Sequence, residues 1–262
     1  CSSSATNIAN KFNIIKLSCA YPNLMYNKLY LNNNLEENEI IKNLYKELLC
    51  DNFNFKDYFL ECSVRFTFFH EFAHLIQHKK ENFEMNEYSN KEQIFDQDRH
   101  IYEYDSDLNG CNFVLGLIDQ YIEDHSQSFK TLEEKQNLHW LALSSIIITM
   151  LLFLNNFEDG KADRTLYVKE KWHPHPSIRI NYMIEHYLFN MKVYGIQVTI
   201  QDGIKNCFRF CNDFFEDKEI FRHYFEQLHD NLDIINKYCE ELFDLATEKP
   251  NLVRHQIEQF NL

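Results

Sequence analysis

The chain has 262 residues, of which 45% are hydrophobic, and a formal net charge of −14. This length allows one large domain or two small ones with a substantial apolar core. Only 5 glycines and 4 prolines interrupt it, which argues against a sandwich or barrel and favours long helices joined by polar loops. The negative charge disfavours nucleic acid or an anionic membrane as a partner.

The N-terminal part of the chain has a mixed pattern. Residues 1–34 carry short apolar runs and are predicted to contain an extended segment or small strands. Residues 35–49 have helical spacing, with acidic residues early and lysines late, which suits the dipole of a helix. A long apolar helix is predicted over about residues 62–80, and a polar connector, Glu81 to Gln97, follows it.

Two further helices are predicted near residues 98–122 and 132–154. The second contains the apolar stretch WLALSSIIITMLLFL, from Trp140 to Leu154. Its length falls short of the roughly 20 residues that a spanning helix needs, and no basic flank follows it. The sequence therefore predicts a buried core helix and no membrane span.

The remaining part of the chain is also predicted to be helical. Pro176 suits the first turn of a helix that runs to about Asn190. The tail, from Asp213 to Leu262, has the pattern of two or three amphipathic helices with a break at Pro250. We therefore expect a mainly α fold in a single domain over residues 1–262.

The eight cysteines suggest a reducing compartment. None forms a CxxC pair and several lie in apolar runs, so buried free thiols are expected rather than a disulfide framework. This favours a cytoplasmic location. The leading Cys1-Ser-Ser-Ser is also compatible with the mature end of a lipoprotein, and whether Cys1 is native stays open.

Residues 65–78, RFTFFHEFAHLIQH, place titratable groups in the middle of an apolar helix. His70 and His74 are four residues apart and share a helix face, so both imidazoles can meet one zinc ion while Glu71 lies beside its bound water. Zinc lowers the pKa of that water, and Glu71 would act as general base. The alternative is a histidine pair on an ordinary core helix, but burying unpaired polar groups there is costly.

A third ligand is needed for such a site. In the metzincin pattern it would be a histidine six residues after His74, where this chain has Lys80, and the expected glycine is replaced by Gln77. The metzincin pattern is therefore absent.

Glu103 and Asp107 are again one helical turn apart, on the helix after the connector. This resembles the gluzincin arrangement, in which the glutamate is the third zinc ligand and the aspartate holds a zinc-bound imidazole through its other ring nitrogen. Ser106 supplies a small residue where the two helices approach each other. Alone, these acids would suit a solvated helix face, but with HExxH they indicate a site. His100 is interpreted as a polar surface residue or a group on the substrate side.

The segment WHPHPSIRI, residues 172–180, follows downstream. The order HExxH, ExxxD, then His-Pro followed by arginine resembles the CAAX-prenyl protease and HtpX group of zinc peptidases. It is more similar to the Lit-like phage-exclusion peptidases, which lack membrane helices. The resemblance covers residues 62–112 and 172–183.

The resemblance implies a zincin-like helical domain with an active-site helix, a second ligand-bearing helix and at most a small β element. The catalytic core would span about residues 62–192, with residues 1–61 and 193–262 as helical elaborations. By the same resemblance, the ligands of the Zn²⁺ ion would be His70, His74 and Glu103. Glu71 would be the general base, and Asp107 would support a ligand histidine. His175 and Arg179 would stabilise the oxyanion or form a gate over the metal. His173 is the alternative to His175, and a Trp-His-Pro turn that only packs against the core is the alternative to both.

The sequence thus predicts a soluble bacterial zinc endopeptidase that acts on a protein or peptide. By the same resemblance, it would serve in antiviral defence by abortive infection and respond to a phage-derived or other protein trigger. The alternative is an inactive or regulatory metal-binding helical protein that works through protein–protein contacts. The target, the trigger and the oligomeric state stay open.

Overall fold

A computed structural model of the chain describes residues 3–8, 12–17, 20–47, 53–77, 94–154, 165–215, 218–250 and 252–254. Within these ranges the fold is mainly α with one small β hairpin, as predicted. The strands are β1 (Ser3–Ile8) and β2 (Phe12–Leu17), which pair antiparallel with Ser3 opposite Leu17. The helices are α1 (Ala20–Leu31), α2 (Glu39–Glu47), α3 (Phe55–Gln77), α4 (Gln97–Asp124), α5 (Leu132–Leu154), α6 (Pro176–Val193), α7 (Ile200–Phe214), α8 (Lys218–Asp230) and α9 (Leu232–Glu248).

Helix α5 forms the centre of the core. Every residue from Leu138 to Leu152 is buried, and the helix contacts α2, α3, α4, α6 and α7. A helix that is apolar on all sides must be buried on all sides, and here the surrounding helices bury it. The prediction that Trp140–Leu154 is a core helix is confirmed over its described side chains. In the parts of the chain that the structure describes, no helix combines the length and the apolar character needed to cross a membrane.

Among the described helices, α3 and α4 form the most extensive pair. They run antiparallel, since Gln77 contacts Tyr102 at one end and Phe66 meets Gly110 at the other. A Cβ atom added at Gly110 would lie 2.8 Å from a ring carbon of Phe66 and 3.0 Å from its carbonyl oxygen. Glycine therefore permits the close approach that brings the polar residues of the two helices together.

The N-terminal elements differ from the sequence prediction in three respects. Helix α1 was not foreseen, because its apolar residues do not gather on one face. The segment 35–49 is divided, since a 3₁₀ turn over Asn33–Glu37 precedes α2, and the Asn38 side chain accepts a hydrogen bond from the Ile40 backbone amide at 3.0 Å. Helix α3 begins at Phe55, earlier than predicted, where Asn54 caps it by accepting from the Lys56 amide at 3.0 Å.

Other expectations concern the chain's later part and its thiols. Helix α5 has the predicted bounds and α6 begins at Pro176. The described part of the tail from Asp213 forms two helices, α8 and α9, after the last two residues of α7. Each described cysteine, namely Cys62, Cys111, Cys207, Cys211 and Cys239, is buried and free. The remaining three cysteines, residues 78–80 at the end of the predicted helix, and residues 81–93 of the predicted connector lie outside the described residues.

Candidate metal centre

Two histidines of α3 and one glutamate of α4 converge between these helices. The Nε2 atoms of His70 and His74 lie 3.2 Å apart. Each Nε2 atom is 3.6 Å from a different oxygen of the Glu103 carboxylate. All three residues are buried, and among the described residues they are the one group of three whose ligand atoms lie within 4.8 Å of one another.

These separations fit a tetrahedral ion. Ligand atoms about 2.0 Å from a zinc ion at tetrahedral angles lie roughly 3.3 Å from one another. The two Nε2 atoms, 3.2 Å apart, match this spacing, and each has a Glu103 oxygen at 3.6 Å, a different oxygen for each ring. Two imidazole nitrogens and one carboxylate oxygen also form the donor set of a catalytic zinc site with an open fourth position. The residues therefore fit a zinc ion in both geometry and chemistry.

The opposite nitrogens of the two rings face acceptors, which sets their orientation. Nδ1 of His70 is 3.0 Å from Oδ1 of Asp107, and Nδ1 of His74 is 2.9 Å from Oε1 of Gln77. A proton on each Nδ1 satisfies these acceptors and leaves a lone pair on each Nε2. Two lone pairs and a carboxylate that face one another in a buried space are mutually repulsive unless a cation lies between them.

Asp107 is held in place from α6. The Arg179 guanidinium donates two hydrogen bonds to it, from Nε at 2.8 Å and from Nη2 at 2.7 Å, and the Tyr182 hydroxyl donates a third at 2.5 Å. The same Nη2 atom lies 3.2 Å from Oε2 of Glu103. Arg179 thus bridges the acid that supports His70 and the acid that completes the ligand set.

Charge and burial set the protonation of the cluster. Burial lowers the pKa of His74 to about 3, so its ring is neutral at neutral pH. Burial opposes protonation of His70 as well, but the hydrogen bond and charge of Asp107 outweigh it and raise the pKa of His70. Burial would raise the pKa of Glu103, yet the charges of His173 and Arg179 hold it well below its usual range. Glu103 is therefore an anion ready to bind a cation.

Glu71 lies on α3 between the two histidine ligands and is 2% exposed. Its position one residue after His70 places it beside the ligand cluster, on the buried surface of the helix. Its role in catalysis stays a prediction.

Gln77 is a residue of the centre that the sequence analysis did not assign. Its Nε2 donates to Oδ2 of Asp105 at 2.9 Å and to the Tyr102 carbonyl at 3.1 Å, which turns Oε1 toward His74. The Ser106 hydroxyl also lies within 3.2 Å of the same His74 nitrogen. The sequence feature that could have identified Gln77 is its position: it is a polar residue one helical turn after His74, on the same buried face of the helix.

The His-Pro segment brings His173 to the cluster. Nδ1 of His173 lies 3.2 Å from Oε1 of Glu103, and Arg99 approaches both its Nε2, at 3.4 Å, and Glu103, at 3.7 Å. The Arg99 guanidinium in turn lies over the Trp172 ring at 4.6 Å. Of the two histidines left open by the sequence, the contact with Glu103 is thus made by His173.

His175 lies at the start of α6. It is the N-cap of α6, and its Nδ1 accepts a hydrogen bond from the Ser177 amide at 3.1 Å. Its ring packs edge-on against Tyr167. This cap satisfies a backbone amide at the helix start and fixes where α6 begins.

His100 is not a surface residue, and that part of the sequence prediction was wrong. It is fully buried, with Nδ1 at 2.8 Å from the Tyr238 hydroxyl and Nε2 at 2.9 Å from the Lys171 carbonyl oxygen. These bonds join α4 to α9 and to the segment that carries His173. His100 therefore anchors the His-Pro segment.

Comparison with protein-family models, with curated proteins and with solved structures found no match for this chain. The functional conclusion is therefore based on the geometry of the centre and on the sequence motifs.

Proposed function

We propose that the protein is a zinc-dependent endopeptidase, with His70, His74 and Glu103 as the ligands that hold the ion. The observation that supports this most strongly is the convergence of two Nε2 atoms, 3.2 Å apart, on one buried carboxylate. The outward nitrogens of both rings already face acceptors. A zinc ion bound here would lower the pKa of water and polarise a peptide carbonyl.

The residues around this ligand set have distinct tasks in the proposed reaction. The Glu71 carboxylate takes a proton from the attacking water and passes it to the nitrogen of the leaving amine. Asp107 holds the His70 ring through Nδ1, and Arg179 keeps Asp107 in place. The net change is hydrolysis of one peptide bond, with the water hydrogen and hydroxyl distributed to the two products.

His173 and Arg179 are the groups that we assign to the developing oxyanion. Both lie 3.2 Å from the Glu103 carboxylate and therefore close to the ligand atoms. His173 is more exposed than the ligands, with 20% of its side chain accessible, so a substrate can reach it. This assignment replaces His175, whose Nδ1 is engaged at the start of α6.

A second candidate function is a metal-binding regulatory protein without hydrolytic activity. It is favoured by the contact of Arg179 with Glu103 at 3.2 Å, because this cation partly neutralises the carboxylate that a metal needs. The buried Glu71 favours the peptidase, since a purely structural site has no use for a general base.

The Glu71→Gln variant distinguishes the peptidase from the regulatory protein. Since the amide cannot accept a proton, we expect it to keep the metal and to lose at least about a hundredfold in the rate of peptide hydrolysis. The measurement is cleavage of a proteome-derived peptide library by the metal-loaded protein, read by mass spectrometry. Full activity of Glu71→Gln would remove Glu71 as the base, and a metal-loaded wild type that cleaves nothing would favour the regulatory protein.

The biological setting that we propose is abortive infection, which depends on the similarity to Lit-like peptidases and on no contact described above. In this setting the enzyme cleaves one host protein when a phage component activates it. Infected bacteria that carry either the wild-type protein or Glu71→Gln test this setting, and cleavage of a host protein is compared between the two strains. Cleavage that is absent in both strains, or equal in both, would contradict it.

A further inference from the structure

A second concave surface lies between α4, α6 and α9. It is a groove of about 910 Å³ that these helices and the segment at Val253–Arg254 line. Helix α4 contributes Tyr104 and Leu108 to the groove, whereas Glu103 and Asp107 face the metal centre. Successive residues of a helix point about 100° apart, so the groove and the metal centre occupy different faces of α4.

Two large aromatic side chains at this groove are exposed to solvent. Phe189 of α6 is 65% exposed, and Phe243 of α9 is 55% exposed. Exposed apolar groups that are rimmed by polar residues mark interaction sites. A small-molecule pocket would bury most of its ligand's surface, whereas aromatics this exposed suit a longer, polymeric ligand.

The groove is also acidic. Asp105, Glu185, Glu240 and Asp244 line it. Among the described lining residues Arg254 is the one cation, and its Nε already lies 3.4 Å from Asp105. His186 does not offset the charge, because burial lowers its pKa to about 4. The groove therefore attracts cations and repels phosphates.

We propose that this groove binds an extended segment of a partner protein in which lysine or arginine alternates with aromatic or large aliphatic residues. The acidic lining provides the charge complementarity, and Phe189 and Phe243 provide apolar contacts. A second copy of this chain fits poorly, because each copy carries a net charge of −14. Nucleic acid is disfavoured by the same carboxylates.

Two residues that line the groove, Asp105 and Tyr182, are hydrogen-bonded to residues of the metal centre. Asp105 accepts the hydrogen bond of Gln77, which orients His74, and Tyr182 donates to Asp107, which orients His70. A partner segment in the groove is thus held one side chain away from the supports of both histidine ligands. Binding itself requires no hydrolysis, so its test is independent of the proposed activity.

The test uses a fluorescein-labelled heptapeptide, Lys-Phe-Lys-Leu-Lys-Phe-Lys, and fluorescence anisotropy with the full chain. Since a buried aromatic contact often dominates an interface, we expect Phe243→Ala to weaken binding about tenfold. Glu240→Lys should weaken it by about the same factor at low salt. The matched controls are Phe225→Ala on α8 and Glu123→Lys on α4, which are exposed residues outside the groove and should change binding less than about twofold.

Four outcomes would overturn the proposal. Equal binding by the groove variants and the wild type would exclude the groove, and equal weakening by the control variants would mean attraction to the overall charge alone. Equally tight binding of a peptide with serine in place of phenylalanine and leucine would remove the apolar contacts. Sedimentation velocity completes the test, because a dimer that Phe243→Ala abolishes would identify a second copy as the occupant.

Discussion

At the scale of single residues, the ligand histidines depend on their hydrogen-bond partners. The His74 ring could rotate about its side chain if Gln77 did not accept from its Nδ1 atom, and Gln77 is itself fixed by Asp105. Residues that orient a metal-binding histidine set both the tautomer and the basicity of the ligand nitrogen. We therefore expect the position of Gln77 to contribute to the zinc affinity of the proposed centre.

We expect Gln77→Ala to raise the dissociation constant for zinc by about 10- to 100-fold, because His74 loses the partner that orients it. Competition with a chelating dye measures this change. Gln120→Ala, at an exposed position of α4, is the matched control and should bind zinc as the wild type does. Wild-type affinity in Gln77→Ala would show that Ser106 alone orients the ring.

Residue spacing predicted the candidate ligands and the support of His70, but not the support of His74. HExxH and ExxxD are fixed spacings on a helix, so His70, His74, Glu103 and Asp107 could be predicted from sequence. The contacts of Gln77 with Asp105 and of His173 with Glu103 join residues far apart along the chain. No local pattern encodes such pairs, which is why His173 and His175 could not be separated before the fold was known.

At the scale of helices, the centre depends on how closely α3 and α4 pack. Gly110 is a point of close approach, where an added Cβ would collide with the Phe66 ring and backbone. Gly116 lies further along the same helix, and a Cβ there would meet nothing within 4 Å. The two glycines therefore form a matched pair, in which one is needed for packing and the other is not.

Gly110→Ala is expected to lower the free energy of unfolding by about 1–3 kcal/mol, because the methyl group overpacks the α3–α4 contact. Gly116→Ala should raise it by about 0.5–1 kcal/mol, since alanine restricts the unfolded chain and favours the helix. Denaturant unfolding of both variants measures the difference. Equal responses would mean that α4 can move away from α3 without cost.

The helices that carry one strong sequence feature, such as a continuous apolar run or an initial proline, were the easiest to predict. Helix α5 has its predicted bounds because its apolar run is continuous, and α6 begins at Pro176 because proline suits a first turn. The division between the 3₁₀ turn and α2 depends on a side-chain cap from Asn38, which periodicity does not report. Helix α1 lacks a clear apolar face and depends on packing against α3.

At the scale of the whole molecule, one buried histidine links stability to pH. His139 lies in α5 at the centre of the core, with Nδ1 at 3.1 Å from the Tyr187 hydroxyl. Burial lowers the pKa of His139 to about 3. Between that value and about 6.5, the ordinary histidine pKa, the unfolded chain binds a proton that the folded chain does not, so stability falls as the pH falls.

The His139→Asn variant isolates this contribution, because asparagine keeps a polar group near Nδ1 but does not titrate. Below pH 6.5 the wild type should lose up to about 1.4 kcal/mol of unfolding free energy per pH unit more than the variant does. Urea unfolding between pH 7.5 and 4.5 measures the two curves. Parallel curves would show that His139 is protonated in the folded protein.

The central claim is that His70, His74 and Glu103 form a zinc centre, and metal content tests it most directly. Mass spectrometry of the purified protein should find about one zinc ion per chain, with a marked loss in Glu103→Ala. Glu123→Ala, which changes an exposed glutamate of the same helix, should keep the wild-type content. Negligible zinc in the wild type after incubation with the ion, or undiminished zinc in Glu103→Ala, would contradict the account.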